Sequence, residues 1–255
     1  MSKTNRLCQL CQSGRCTPNE IDSRVAIIHS TVLKESPWID EPNFSRLAAD
    51  DLERLFQLYD SAFFNDGCRQ AAGRDRLTFR VSSRMTRSGG KTARIAPRHR
   101  PQDPRYEIAV SSTLLFETFR DVKRTVTVTG VECRDRLEAL QRIFEHEMIH
   151  LIELLVWERS SCSAARFRSM AHRFFGHTDH RHDLVTPRER ASRCHGVKPG
   201  SRVRFRFDSA EYSGIVNRIT KRATVLVEDN RGERYSDGRR YAKFYIPIAT
   251  LEQLE

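Results

Sequence analysis

Two histidines four residues apart, with a glutamate directly after the first, are the residues of this chain best suited to chemistry. They are His146, Glu147 and His150, in the segment HEMIH. On a helix, residues four apart project from the same face, so both imidazoles can bind one zinc ion. Glu147 lies next to that face, where its carboxylate can take a proton from water. The pattern predicts a Zn²⁺ site with hydrolytic chemistry, and a third protein ligand must come from elsewhere in the chain.

A long helix is predicted to carry this motif. Apolar side chains from Leu137 to Leu155 recur every three or four residues, which is the spacing of one buried helical stripe. We expect the helix to span about 132–159, with the histidines beside the stripe rather than in its middle. An HExxH match can arise by chance, but its position inside a strong helix favours zinc binding over an ordinary histidine pair.

Shorter elements are expected around this helix. Helical spacing of apolar residues predicts a helix that begins near Ser45 as its N-cap and a second one over 164–175. Stretches rich in β-branched or aromatic residues predict a small antiparallel sheet. Its strands are 77–83, 90–96 and 106–111.

Residues 1–44 are predicted to form an extended N-terminal segment that carries a cysteine cluster. Cys8, Cys11 and Cys16 could form part of a structural zinc site, but no fourth ligand follows at a regular spacing. A disordered tail is the simpler interpretation. The chain has seven cysteines, an odd number, and its N-terminus lacks a secretory signal, so we do not expect a disulfide framework.

After residue 195 the sequence pattern changes to the alternation of apolar and polar residues that is typical of strands. In 202–207, Val203, Phe205 and Phe207 alternate with Arg202, Arg204 and Arg206, as on a strand with one buried face. Four or five such strands in 196–255 predict a small SH3-like barrel. Residues 186–195 are predicted to be a linker that begins a helix, with Thr186 as the N-cap and Pro187 at the first position.

The chain is strongly basic, with 44 Lys and Arg against 33 Asp and Glu and a net charge of +11. This balance favours a polyanionic partner such as DNA, although a solvated basic surface explains it equally well. Arg202, Arg204 and Arg206 are the candidate nucleic-acid-binding residues. No apolar run is long enough to cross a bilayer, so we expect no membrane partner and a cytoplasmic location.

With the HEMIH helix in place, residues 45–185 resemble the SprT/Spartan-like family of zinc metallopeptidases. Five segments carry the resemblance in the order of the family: LYDSAFFNDG, VSSRMTRSGGKT, YEIAVSSTLL, HEMIH and RFRSMAHRFFGH. The resemblance implies an α+β, minigluzincin-like protease domain. It also implies a link to DNA, because eukaryotic members cleave proteins that are crosslinked to DNA.

One position departs from the family pattern. The family's third zinc histidine falls where this chain has Ser163, and a neutral hydroxyl is a poor zinc ligand. Cys162, one residue away, is our predicted replacement, because a thiolate binds zinc well. His177 is the next candidate, although it is fourteen residues beyond Ser163 and a helical path would carry it roughly 20 Å away. His172, His180 and His182 also stay open, as does Glu153.

The sequence is compatible with three functions. The first is a zinc-dependent endopeptidase that acts on protein substrates near DNA, with Glu147 as general base and His146, His150 and Cys162 as metal ligands. The second is a non-catalytic, zinc-stabilised nucleic-acid-binding protein with a relict protease site. The third is an adaptor whose C-terminal module binds protein. Bound zinc together with hydrolysis of a protein would support the first function, and bound zinc without hydrolysis would support the second. Absence of salt-dependent DNA binding would support the third.

Overall fold

The computed structural model describes residues 3–73 and 75–254, which divide into two compact units. The first unit comprises residues up to 119 together with 124–184, and the second comprises 120–123 and the residues from 185 onwards. Both helices and small sheets are present, so the chain is α+β as predicted. None of the helices in the described ranges combines the length and apolar character that a bilayer crossing requires.

The described residues of the first unit form seven helices and five strands. The helices are α1 (Lys3–Ser13), α2 (Pro18–Glu35), α3 (Ala49–Phe64), α4 (Gly67–Ala72), α5 (Ser112–Glu117), α6 (Arg136–Trp157) and α7 (Ala165–Phe175). The strands are β1 (Leu77–Ser82), β2 (Gly90–Ile95), β3 (Arg105–Ser111), β4 (Val126–Val128) and β5 (Val131–Cys133). Helix α6 packs against helices on one side and strands on the other, and most of its residues are buried.

Strands β1, β2 and β3 form a sheet in the order β1-β3-β2. Strand β3 pairs antiparallel with β2, as predicted, but parallel with β1. The prediction of a purely antiparallel sheet was therefore wrong in one of its two pairings. Residue composition identifies strands, but it does not reveal which strand inserts between two others. The order leaves β2 at an edge, next to α6.

The prediction of an extended segment over residues 1–44 was wrong. Helices α1 and α2 occupy most of it, and their apolar faces are part of the core of the first unit. Thr17 starts α2 with a capping box: its hydroxyl accepts from the amide of Glu20, and the Glu20 carboxylate accepts from the amide of Thr17. This start signal, with Pro18 at the first helical position, is visible in the sequence and was overlooked.

The N-terminal cysteines serve this packing and form no disulfide. Cys11 is buried in the core, and burial raises the pKa of its thiol to about 12, which disfavours the thiolate that a metal needs. Cys16 accepts a hydrogen bond from Arg24. Over the described residues, Cys8, Cys11 and Cys16 do not come together as a metal-binding group.

Two predicted helix starts are displaced by local hydrogen bonds. Helix α3 begins at Ala49 rather than near Ser45, because the Asp51 carboxylate accepts from the amide of Ala48 at 2.7 Å. Helix α6 begins at Arg136, after Asp135 accepts from the amide of Glu138 at 2.9 Å. Glu132 and Cys133, which the sequence assigned to the helix, belong to β5 instead.

In the second unit, the residues up to 254 form one α-helix and one five-stranded sheet. Its elements are α8 (Pro187–His195), β6 (Arg202–Phe207), β7 (Ala210–Ile219), β8 (Ala223–Arg234), β9 (Arg240–Ile246), a 3₁₀ turn (Ile248–Thr250) and β10 (Glu252–Gln253). The sheet is antiparallel in the order β10-β6-β7-β8-β9. Thr186 caps α8, as predicted, by accepting from the amide of Glu189 at 3.1 Å.

This sheet is open rather than a closed barrel. Strands β10 and β9 are its two edges, and no strand pairing among the described residues joins them. Val203 and Phe205 of β6 are buried in the core of the unit, whereas Phe207 at the end of the strand remains 43% exposed. Ala191 of α8 is also buried there, so the segment predicted as a linker contributes to the core of the second unit.

Candidate metal centre

Helix α6 places the HEMIH residues on the wall of a cleft of about 620 Å³ in the first unit. His146, Glu147 and His150 line one side, and residues of β2 line another. The apolar stripe of α6, which lies beside these residues, is buried, and its burial fixes the rotation of the helix. The motif therefore faces the cleft as its helical spacing predicts.

His146, His150 and Cys162 converge in this cleft. The two Nε2 atoms are 3.1 Å apart, and one ligand atom from each of the three residues lies within 4.8 Å of the others. Two nitrogens on one tetrahedral zinc ion would be separated by about 3.3 Å, given bonds of about 2.0–2.1 Å. The histidine pair is thus already at metal-binding separation, and two imidazoles with a thiolate form a ligand set that suits Zn²⁺.

The protonation of His150 can be deduced from its partner. Its Nδ1 lies 2.6 Å from the Ser160 hydroxyl, and that hydroxyl donates its single proton to the Glu153 carboxylate at 2.7 Å. The Ser160 oxygen must therefore accept from Nδ1–H of His150. This tautomer leaves a lone pair on Nε2, the atom that faces His146, which is the state a metal ligand requires.

Both imidazoles are held neutral by their surroundings. Burial lowers the pKa of His146 to about 3, and it lowers the pKa of His150 to about 4. The Nδ1 atom of His146 is buried and has no hydrogen-bond partner among the described residues. A half-buried, neutral pair of this kind fits a metal site, because zinc binds the unprotonated nitrogen.

Glu147 is the buried acid of the cleft. Burial raises the pKa of its carboxyl to about 7, and a hydrogen bond from Thr92 partly opposes the rise. The Thr92 hydroxyl lies 2.7 Å from Oε2 and 3.0 Å from the backbone oxygen of Glu147. This contact leaves Oε1 beside Gly90, where an added Cβ would lie only 2.5 Å from it. A carboxyl so placed can accept and return a proton near neutral pH.

The cysteine reaches the cleft on the loop between α6 and α7. Residues 158–164 form this loop, and Cys162 is half-buried within it. The structure brings together all three residues predicted as metal ligands. Their binding of Zn²⁺ stays a prediction.

Of the competing ligand candidates, His180 and His182 line the same cleft, but neither belongs to the metal-binding group found among the described residues. His177 is buried, and its Nε2 lies 2.8 Å from a carboxylate oxygen of Glu145. The chain therefore does fold back after α7, but it places this imidazole against Glu145 rather than beside His146 and His150. His182 lines the cleft, where its Nε2 accepts from the amide of Gly89 at 2.9 Å. Ser163 pairs with Ser161 at 2.9 Å.

Three residues of the site were missed by the sequence analysis: Gly90, Thr92 and Ser160. Only the Gly-Gly pair at the start of β2 offered a signal, since a strand glycine often marks a close backbone approach. Contacts of Thr92 and Ser160 with α6 residues join positions up to 55 apart in the chain, and no local pattern encodes them.

The predicted nucleic-acid-binding arginines lie on β6 of the second unit. Arg204 and Arg206 line a groove of about 740 Å³, and Arg204 pairs with Glu211 at 3.4 Å. Arg202 is exposed but is not among the residues that line the groove. Arg222, from the turn between β7 and β8, joins the other two.

Comparison of the chain with protein-family models, curated proteins and solved structures gave no match.

Proposed function

We propose that the first unit is a zinc-dependent endopeptidase of the SprT-like type. The observation that carries the proposal is the convergence of His146, His150 and Cys162 beside the buried carboxyl of Glu147. Three protein ligands with an open fourth position are typical of catalytic rather than structural zinc sites. When bound, zinc supplies a Lewis acid for the scissile carbonyl and lowers the pKa of water.

The residues of the chain itself would move the proton. Thr92 holds Oε2 of Glu147, so Oε1 is the atom that takes the proton from the attacking water. The same carboxyl then returns the proton to the leaving amine. Its raised pKa of about 7 suits both steps, because the group neither holds nor releases the proton too strongly.

Strand β2 suits the binding of an extended peptide. It is an edge of the sheet, and the segment from Ser88 to Thr92 lines the cleft. A free edge offers backbone amides and carbonyls, to which a peptide can add as a further strand. The glycine at position 90 allows this backbone to lie close to Glu147. This arrangement supports a protein or peptide substrate over a small molecule.

The proposal is tested by proteolysis with controlled metal content. Purified protein, stripped by a chelator and then reloaded with Zn²⁺, is incubated with casein or histones. We expect hydrolysis only in the reloaded sample and about one zinc per chain by metal analysis. Stoichiometric zinc with no hydrolysis, with or without single-stranded DNA, would instead favour the alternative of a non-catalytic, zinc-stabilised binding protein.

A second candidate function is binding of single-stranded nucleic acid by the second unit. The observation that favours it is the combination of Arg204, Arg206 and Arg222 in one groove with two exposed aromatic side chains. These are Phe207, 43% exposed, and Tyr245, 61% exposed. Sites that bind single-stranded nucleic acid usually combine basic side chains, which contact the phosphates, with aromatic side chains, which stack on the bases.

The charge of the second unit agrees with this partner. Residues 185–255, which form most of the second unit, contain 15 Lys and Arg against nine Asp and Glu, a net charge of +6 out of +11 for the chain. The resemblance to the SprT/Spartan family, which links peptidase activity to DNA, leads us to propose DNA-bound or DNA-crosslinked proteins as substrates. A cytoplasmic location is part of the same proposal.

Two double variants that lose the same net charge, one inside the groove and one outside it, test the binding surface. Arg206→Gln/Arg222→Gln removes two charges from the groove, and Arg231→Gln/Arg234→Gln removes two from exposed positions outside it. We expect the first pair to weaken binding of single-stranded DNA and to reduce its salt dependence far more than the second. Equal effects of the two pairs would indicate non-specific electrostatic attraction. If the parent protein does not bind DNA, the remaining alternative is that the second unit is a protein-binding adaptor.

A further inference from the structure

We propose that Glu153 is a positioning residue that holds both the His150 ring and the Cys162 loop in place for metal binding. The inference rests on the metal centre of the proposed function but not on peptide hydrolysis. Glu153 lies on α6, two turns after Glu147 and one turn after His150, and its side chain has no exposed surface. A buried carboxylate in this position needs an explanation, because burial of a charge is costly unless every oxygen is bonded.

Both carboxylate oxygens of Glu153 are engaged. Oε2 accepts from the Ser160 hydroxyl at 2.7 Å and from the amide of Ser161 at 3.1 Å. Oε1 accepts from Nε of Arg166 at 2.7 Å, and that guanidinium lies over the Trp157 ring, 4.2 Å from its centroid. These partners leave no oxygen free to turn toward a metal, so Glu153 acts beside the ligands rather than as one of them.

The first consequence concerns His150. The carboxylate takes the only proton of the Ser160 hydroxyl, and the hydroxyl oxygen then accepts from Nδ1–H of His150 at 2.6 Å. This series of hydrogen bonds, from carboxylate to hydroxyl to imidazole, therefore selects one tautomer and one ring orientation of His150. Hydrogen-bonded partners of this kind raise the basicity of a ligating imidazole and fix its direction.

The second consequence concerns Cys162. Ser160 and Ser161 immediately precede it, and Glu153 binds the side chain of one and the backbone of the other. Arg166, the other partner of Glu153, also donates to the backbone oxygen of Arg159 at 3.2 Å. The loop that carries the thiol is thus bound on both sides of residue 160 through a single buried carboxylate. One acidic residue links the two ligands that lie on different elements.

Metal affinity tests the inference without any peptide substrate. Zn²⁺ affinity is measured by competition with a chromophoric chelator for Glu153→Gln, Ser160→Ala and Ser160→Thr. We expect the first two to weaken binding by about 10- to 100-fold, the usual effect of losing a partner of a metal ligand. Ser160→Thr keeps the hydroxyl and should restore most of the affinity. Glu138→Gln, at the start of α6, serves as the control.

The spectrum of the Co²⁺-loaded protein distinguishes a loss of the Cys162 position from a general loss of stability. Co²⁺ bound to a thiolate gives a near-ultraviolet charge-transfer band, which should weaken in Glu153→Gln and Ser160→Ala if Cys162 loses its position. If Glu153→Gln does not fold, Ser160→Ala still carries the test. Unchanged zinc affinity and an unchanged cobalt band in folded Ser160→Ala would overturn the inference. Weakened affinity in a protein that hydrolyses nothing would uphold it while the peptidase proposal fails.

Discussion

The Nε2 atoms of His146 and His150 lie 3.1 Å apart, one helical turn from each other, and the Cys162 thiol approaches both. Two of these residues are brought together by the helix, and the third arrives on a loop after it.

Glu147→Gln should retain zinc but reduce peptide hydrolysis by about 10²- to 10⁴-fold, because the amide cannot accept the proton. Zinc content by metal analysis and initial rates on a peptide are the measurements. Glu158→Gln, an exposed acid of the same cleft, is the matched control and should change the rate little. Equal rates for parent and Glu147→Gln would remove Glu147 from the reaction.

Cys162→Ala should lower both zinc content and activity while the fold remains intact, because only two protein ligands are left. Ser163→Ala, one residue further along the loop, should keep both. Metal analysis after dialysis and far-ultraviolet circular dichroism are the measurements. Stoichiometric, tightly held zinc in Cys162→Ala would show that another residue completes the site.

Gly90→Ala should impair activity without loss of zinc. The new Cβ would lie 2.5 Å from Oε1 of Glu147, so the carboxyl or the strand must shift. A displacement of about 1 Å can lower a rate by about 100-fold. Gly89→Ala makes looser contacts, 3.2 Å to Ile143, and should have a smaller effect. Identical rates for both variants would contradict the proposed closeness of β2 and Glu147.

His177→Ala should destabilise the first unit and leave the metal centre loaded. Glu145 is fully buried between His177, Arg142 and Tyr59, and these partners outweigh its burial and hold the pKa of its carboxyl below its usual range. Loss of one charged hydrogen bond should lower the free energy of unfolding by roughly 2–3 kcal/mol. Urea unfolding measures this effect, and zinc lost from folded His177→Ala would argue for a ligand role.

Peptides with acidic side chains near the scissile bond should be preferred substrates. Lys91, Arg94 and Arg181 line the cleft, and Glu158 pairs with Arg94 at 3.4 Å. We expect a lower KM for such peptides, with an advantage that declines as salt increases. Lys91→Gln should reduce the advantage, whereas Lys34→Gln, an exposed lysine of α2, should not.

The sequence by itself determined the parts that depend on local spacing. Residues 146 and 150 share a face in any α-helix, and Glu147 lies beside that face, so the core of the site could be predicted. The apolar stripe set the side of α6 that is buried, and strand alternation buried Val203 and Phe205 on β6. Cys162 was predicted only through the resemblance to the SprT-like family, whose third ligand falls at the neighbouring position 163.

Only the tertiary structure decided which distant segments meet. It made β3 parallel to β1, placed α1 and α2 in the core, and brought Thr92 and Ser160 to residues of α6. Glu147 and Glu153 are chemically alike on one helix, yet the first has a raised pKa in a cleft while the second is bonded at both oxygens. The physical reason is that helix and strand periodicity is encoded by near neighbours, whereas solvation and hydrogen-bond partners are set by whichever segment packs against each face.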